Sequence, residues 1–352
     1  MTAASGTAGA STAERQVLIA LLPGLVASTA LGGPGTLLNL AFAGATLWLL
    51  DRAWRPANAP AGLPWVAAVM LAFTLPPATP GYIVAACALA LGGVVRAAST
   101  RPLPFNPAML AAALVFVLYP GRLPGWPAAP VTAGAWPQQL QQAITGAMDT
   151  SGMDRVTATD GSTGATALVA MAQRAPLTIS EVTAQHPAFG AWGAAGGEWV
   201  ALAWLAGGLW LLQRRAITWH VPLGCVVGVT LTAALLYEGD GAHGGSSPLL
   251  HLLAGGTLLV AFFALTEPRG RPQTHAGQLL VGLFAGALVV ALREHAGGAD
   301  RAAVVVLLAN ALAPAFDALG TRLRRPPNRP PRLGAHDAAP PEGPAPHTDG
   351  RT

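Results

Sequence analysis

The segment with the clearest chemical content is Asp160-Gly161-Ser162-Thr163-Gly164-Ala165-Thr166. It strings one carboxylate and three hydroxyls along small residues. Such a string is flexible and can enter another protein's cleft in extended form. The Thr166 hydroxyl can be esterified, and Asp160 stands six residues upstream. A plainer reading exists for the same residues. Asp-Gly opens a turn, and Thr163 or Thr166 can N-cap the apolar run Ala167–Ala172. On the residues alone, capping is the simpler role.

Other chemistry-bearing side chains are sparse. Cys87 and Cys225 both sit in apolar runs, with no CxxC spacing. They form neither a disulfide framework nor a metal-ligand set, so a protein-bound cluster or structural zinc is not expected. His243 and His251 lack the spacing of a metal or haem pair on a helix. No dinucleotide fingerprint is present. Asp317, Glu267, Glu198, Asn39, Asn106, His251 and Asn310 lie within or beside apolar segments. Polar groups there usually have a function. As a set they could line an ion path or hold a cofactor; singly, helix capping and interhelical hydrogen bonds are preferred.

The elements that must position these residues are membrane helices. The chain has 352 residues, 52% hydrophobic and only 10% charged. Soluble domains carry about 25% charged residues, so lipid is the natural solvent, and a mean hydropathy of +0.47 agrees. A net charge of +4 and a pI near 9.8 invite a nucleic-acid reading, but the charge is scattered among apolar blocks, which excludes it. The expected fold is all-α, a polytopic membrane helix bundle of about ten transmembrane helices. Candidate spans are 16–32, 35–50, 62–77, 79–95, 106–120, 196–213, 216–237, 248–266, 276–293 and 301–320. The first is read as a retained helix, since no clean signal-peptide cleavage site follows it.

All 20 basic residues are Arg. With the N-terminus cytoplasmic, inside segments hold 15 of them and outside segments 5 (Arg122, Arg155, Arg174, Arg293 and Arg301), which favours both ends being inside. The organisation is then a cytoplasmic N-terminus (1–15), a first membrane half (16–120), a periplasmic loop bearing the hydroxyl-rich motif (121–195), a second membrane half (196–322) and a disordered cytoplasmic tail (323–352). Amphipathic stretches are expected in the loop near 137–148 and 164–173. Trp126, Trp136 and Trp192 flank the motif. They could stack on a bound aromatic group, although interfacial anchoring is the favoured role. The two halves show weak echoes of each other, short of a repeat.

The motif also carries a resemblance. The pattern D-x-x-[ST]-G-A-T resembles the flavinylation site of the RnfD/NqrB family of membrane electron-transport subunits. Asp160, Thr163, Gly164, Ala165 and Thr166 fill every fixed position. Gly44-Ala45-Thr46 repeats the final triplet, but Leu40 and Ala43 replace the acid and the hydroxyl. Further segments resemble the family: Asn106-Pro107-Ala108-Met109; His251 to Thr257 with Ala261-Phe262-Phe263-Ala264-Leu265-Thr266-Glu267-Pro268; and Leu307 to Asn310 followed by Pro314 and Asp317. Length and a modest N-terminus favour the RnfD type, from ion-translocating oxidoreductase (Rnf electron transport) complexes, over the NqrB type of Na+-pumping NADH:quinone reductase.

The resemblance implies FMN held on Thr166 as a phosphoester by a periplasmic flavin transferase. It implies electron relay coupled to Na+ or H+ movement, as one subunit of a redox-driven translocase in a bacterial inner membrane. It allows a second, non-covalent flavin such as riboflavin. Implied partners are a second covalent-flavin subunit, iron–sulfur and membrane subunits, and lipid. A flavin-free scaffold or permease is the competing reading.

Overall fold

The computed structural model describes residues 3–53, 64–100, 103–119, 123, 126–127, 130–145, 165–172, 177–239, 245–295 and 301–324. They form fourteen α-helical segments. The first five are α1 (Ala3–Gly32), α2 (Gly35–Ala53), α3 (Trp65–Thr74), α4 (Gly81–Thr100) and α5 (Pro107–Leu118). Three short helices follow: α6 (Trp136–Thr145), α7 (Ala165–Ala172) and α8 (Ile179–Gln185). The second group is α9 (Gly197–Gln213), α10 (His220–Leu236), α11 (Pro248–Leu253), α12 (Thr257–Leu259), α13 (His275–His295) and α14 (Ala302–Arg324). The fold is an all-α membrane bundle, and each of the ten expected spans coincides with a helix or a broken helix. The expected tail lies, beyond Arg324, outside the described residues.

Parts of α1, α4, α13 and α14 are long and apolar enough to cross a bilayer outright. Their neighbours present large apolar side chains outward, among them Val117, Leu118 and Leu235. A water-facing surface would not tolerate so wide an apolar belt. By the alternation of helix directions, Gly32, Leu118, Gly197, Leu236, Pro248, His295 and Ala302 share one end of the bundle. We call it the loop end, because the connection from 119 to 196 lies there.

The two halves pack alike. In the first, α2 lies on α4, α4 on α5, and α1 on α3. In the second, α10 lies on α13, α13 on α14, and α9 on α11 and α12. Across the halves α1 meets α9 and α5 meets α14. With five crossings per half, the second copy of this pattern runs inverted relative to the first.

In each half the third element is incomplete, and the reason is local. Helix α3 stops at Thr74 because Leu75 precedes Pro76 and is driven to extended backbone, φ −99 and ψ 139. The segment from Leu75 to Pro80 then runs buried, so the span expected to reach 77 is shorter than its apolar run. In the second half the span expected over 248–266 breaks at Ala254-Gly255-Gly256. Gly255 has φ 71, a conformation natural only to glycine. The chain resumes as α12 and passes into a π-helical turn, Val260–Ala264.

Breaks and bends at membrane depth leave carbonyls that lipid cannot satisfy, and buried polar side chains, asparagines among them, take them. Asn39 Nδ2 donates to Leu75 O at 3.3 Å and Pro76 O at 3.0 Å. Asn106 Nδ2 donates to Ala264 O at 3.1 Å, and Asn310 Nδ2 to Gly270 O at 2.9 Å. The Asn106 amide N–H donates to Asn310 Oδ1 at 2.9 Å, tying α5 to α14. Asn106 Oδ1 also caps α5 through the amides of Ala108 and Met109.

Candidate functional site

Of the motif residues, Asp160, Thr163 and Gly164 lie outside the described residues. Ala165 and Thr166 are the first two residues of α7. The expected amphipathic stretches coincide with α6 and α7. Thr166 therefore stands in the first turn of a helix, next to a segment of small residues.

Helix α7 is held by its apolar side chains. Ala167, Leu168 and Met171 are buried against Ala188, Ala194, Leu250 and Ala254, with Ile179 and Phe189 packed at the margin. Leu250 belongs to α11 and Ala254 to the break behind it. Burying a Leu or Met side chain contributes about 1.5–3 kcal/mol, so this small cluster can dock an eight-residue helix too short to be stable alone. Helix α8 is fixed at its start by a capping box. The Thr178 N–H donates to Glu181 Oε2 at 2.8 Å, and the Glu181 N–H to Thr178 Oγ1 at 3.3 Å.

The turn between α8 and α9 is organised by one carboxylate. Glu198, in the first turn of α9, is 5% exposed. Its Oε2 accepts from the backbone amides of Trp192 at 2.9 Å and Gly193 at 3.0 Å. Gly190 and Gly193 are glycines for want of space. A Cβ on Gly190 would sit 2.7 Å from the Glu198 carboxylate, and one on Gly193 3.0 Å from Leu253 Cβ. The turn is closed by Gly190 N–H to Gly193 O at 2.8 Å and Ala195 N–H to Ala188 O at 2.7 Å. Trp192 is thereby held half-exposed, its ring centroid 6.0 Å from that of Trp199.

Between α7, α8, this turn and the start of α11 lies a cleft of about 420 Å³. Met171, Thr183, Phe189, Trp192, Ser247 and Leu250 line it. That volume falls within the roughly 300–1,000 Å³ of small-molecule sites, and an apolar lining with a few hydroxyls is their usual make-up. Trp126, by contrast, is buried and does not line this cleft.

Below the cleft the break in α11–α12 carries a polar cluster. His251 Nε2 and Glu294 Oε1 are 3.0 Å apart. The Ser246 N–H also donates to Glu294 Oε1, at 3.0 Å. The His251 carbonyl accepts from Arg293 Nη1 at 2.7 Å and Thr257 Oγ1 at 2.6 Å. Arg293 is 1% exposed. It lies in the last turn of α13 rather than in an external segment.

The remaining polar residues do not converge. Asp317 accepts from the Gln273 and Thr274 amides, both at 2.8 Å, and caps the start of α13. Glu267 accepts from the Arg269 N–H at 3.0 Å. Burial holds its carboxyl above the usual range, against the pull of Arg269. Cys87 and Cys225 are buried and free. Among the described residues no group of three or more His, Cys, Asp or Glu could hold a metal.

Comparison with known proteins fits this arrangement. The model of the NQR2, RnfD, RnfE family matches residues 4–324. This chain belongs to that family. Relatives include the D component of the ion-translocating oxidoreductase complex of Ectopseudomonas mendocina (strain ymp), 39% identical over 311 residues, covering 86% of this chain and 88% of that protein. The protein of the same name from Pseudomonas aeruginosa (strain UCBPP-PA14) is 38% identical over 313 residues, with the same coverage. That of Vibrio cholerae (strain O395) is 36% identical over 331 residues, covering 87% and 93%. The family match therefore spans nearly all of the described chain, α7 included.

Proposed function

We propose that this chain is the RnfD-type membrane component of an Rnf-type ion-translocating oxidoreductase complex, and that it carries FMN as a phosphoester on Thr166. The observation that carries the reading is the complete D-x-x-T-G-A-T pattern ending at Thr166, within a chain related along its length to proteins of that complex. The local structure fits such a group: α7 is docked on the bundle, and a cleft of about 420 Å³ opens beside it.

Attachment would replace the Thr166 O–H bond with an O–P bond. The phosphoanhydride of the donor FAD breaks, AMP leaves and the hydroxyl proton passes to solvent. Bound FMN supplies one- and two-electron transfer, which amino-acid side chains do not. The chain's part is positional. Helix α7 fixes the attachment point to α11 through Leu168, Met171 and Leu250, so a tethered group stays at one place at high effective concentration. Glu198 keeps the facing turn in register.

Electrons would pass on to the complex's other flavin and iron–sulfur subunits, with NADH oxidised elsewhere, and the coupling ion would be Na+ or H+. The loop end would face the periplasm of a bacterial inner membrane, where a flavin transferase reaches Thr166. The test is co-expression with such a transferase and inspection of a denaturing gel for flavin fluorescence. Wild type and Thr166→Ser should fluoresce at the position of the chain, and Thr166→Ala should not. A dark wild-type band, or a bright Thr166→Ala band, would sink the reading.

A further inference from the structure

We infer that the cleft between α7, α8 and α11 is the seat of the tethered isoalloxazine ring, with Trp192 stacking on it; this rests on the proposed FMN at Thr166. Three observations carry it. The first is reach. Met171 lines the cleft five residues along α7 from Thr166, a rise of roughly 7–8 Å at ~1.5 Å per residue. The ribityl phosphate arm has about eight bonds. It spans roughly 9 Å at the ~3.4 Å that three backbone bonds cover. Along the helix axis the cleft therefore lies within one arm's length of position 166.

The second is wall chemistry. A tricyclic ring needs apolar faces and hydrogen-bond partners along one edge. Ile179, Phe189 and Leu249 provide apolar surface, and Trp192 provides an indole 51% exposed. Stacking of aromatic pairs adds about 0.5–1.5 kcal/mol beyond area burial. Two hydroxyls complement a carbonyl–imide–carbonyl edge. Ser247 Oγ accepts from the Leu250 amide at 3.2 Å, which leaves its O–H to donate. Thr183 Oγ1 donates to Ser180 O at 3.1 Å, which leaves its lone pairs to accept.

The third is rigidity. An interfacial anchor needs no fixed backbone, yet the Trp192 and Gly193 amides are both spent on a buried carboxylate, and a Cβ on Gly193 would press on Leu253 at 3.0 Å. The turn holds one indole at the mouth of one cleft.

The experiment uses the full chain loaded by co-expressed transferase and purified in detergent. Indole in contact with a photoexcited flavin quenches it. The folded wild type should therefore show a shorter flavin lifetime than the same chain unfolded, and protection from iodide. Trp192→Ala should keep its covalent flavin on a denaturing gel, while its lifetime and iodide access rise to those of the unfolded chain. Trp136→Ala, on α6 away from the cleft, should match wild type. An unquenched wild type, an unchanged Trp192→Ala, or a Trp192→Ala that loses the covalent flavin would each overturn the seat. A wild type without covalent flavin on the gel would instead defeat the Thr166 reading beneath it, and the seat with it.

Discussion

At the scale of single residues, the buried polar groups divide into those that repair the backbone and those that organise the loop end. Asn310 belongs to the first. It donates to Gly270 O and accepts from the Asn106 amide, all buried. Removing it strands two backbone groups, each costing about 1–3 kcal/mol. Asn310→Ala should lower the thermal unfolding midpoint in detergent, whereas substitution of outward-facing Leu235 by Ala should change it little. Equal midpoints for Asn310→Ala and wild type would contradict the backbone-repair role. Glu198 belongs to the second group. Glu198→Ala should speed hydrogen exchange at the Trp192 and Gly193 amides and leave α13 unchanged, and Glu198→Gln, which keeps one acceptor oxygen, should do so less. Unaltered exchange at both amides would show that the turn holds itself.

These residues also mark the limit of what the sequence discloses. Their polarity in an apolar setting is plain, and capping and interhelical bonding are the roles the structure gives most of them. Their partners are not readable, because they are mostly backbone atoms far along the chain. His251 and Glu294 are 43 positions apart. Arg293 reads as an external charge at a span edge, and only the packing of α13 reveals it as buried.

At the scale of elements, the most extensive helix contact is between α10 and α13, built from two pairs of glycines four residues apart. A Cβ on Gly224 or Gly228 would strike the carbonyls of Leu279 or Leu283; on Gly282 or Gly286 it would strike those of Val221 or Cys225. In lipid, such close approach replaces the hydrophobic effect as the source of helix association. Gly228→Leu and Gly286→Leu should each destabilise by more than the about 1–3 kcal/mol of ordinary overpacking, since the obstacle is backbone. Loss of the monodisperse species on size exclusion in detergent is the expected readout; a normal profile for both would refute the interface. The helices themselves were legible from hydropathy, but the end of α3 was not: the expected span ran through Pro76 to 77, and the helix stops at Thr74. The break at Ala254–Gly256 was not, because the apolar run passes through it uninterrupted. Only the Gly-Gly pair hints at it.

At the scale of the whole molecule, two similarly packed halves place the start of α1 and the end of α14 on one side and the ends of α5 and α9 that border the long connection on the other. The shared packing was only faintly legible, because it is carried by different residues in each half: four glycines join α10 to α13, while Asn39 and a proline-rich segment shape α2 and α3. The arginine distribution is the ground for the proposed orientation, and counting Arg293 within α13 adds to that bias. A reporter fused near residue 150 should act as periplasmic and one after residue 324 as cytoplasmic. The same compartment for both would break the topology and put Thr166 out of a periplasmic transferase's reach.

The proposed function turns on one bond, and peptide mass spectrometry reads it directly. In protein co-expressed with the transferase, the peptide containing Thr166 should be heavier by one FMN less one water. Fragmentation should place that increment on Thr166, and Thr166→Ala should lack it. An unmodified wild-type peptide, or the increment on any other residue, would contradict it.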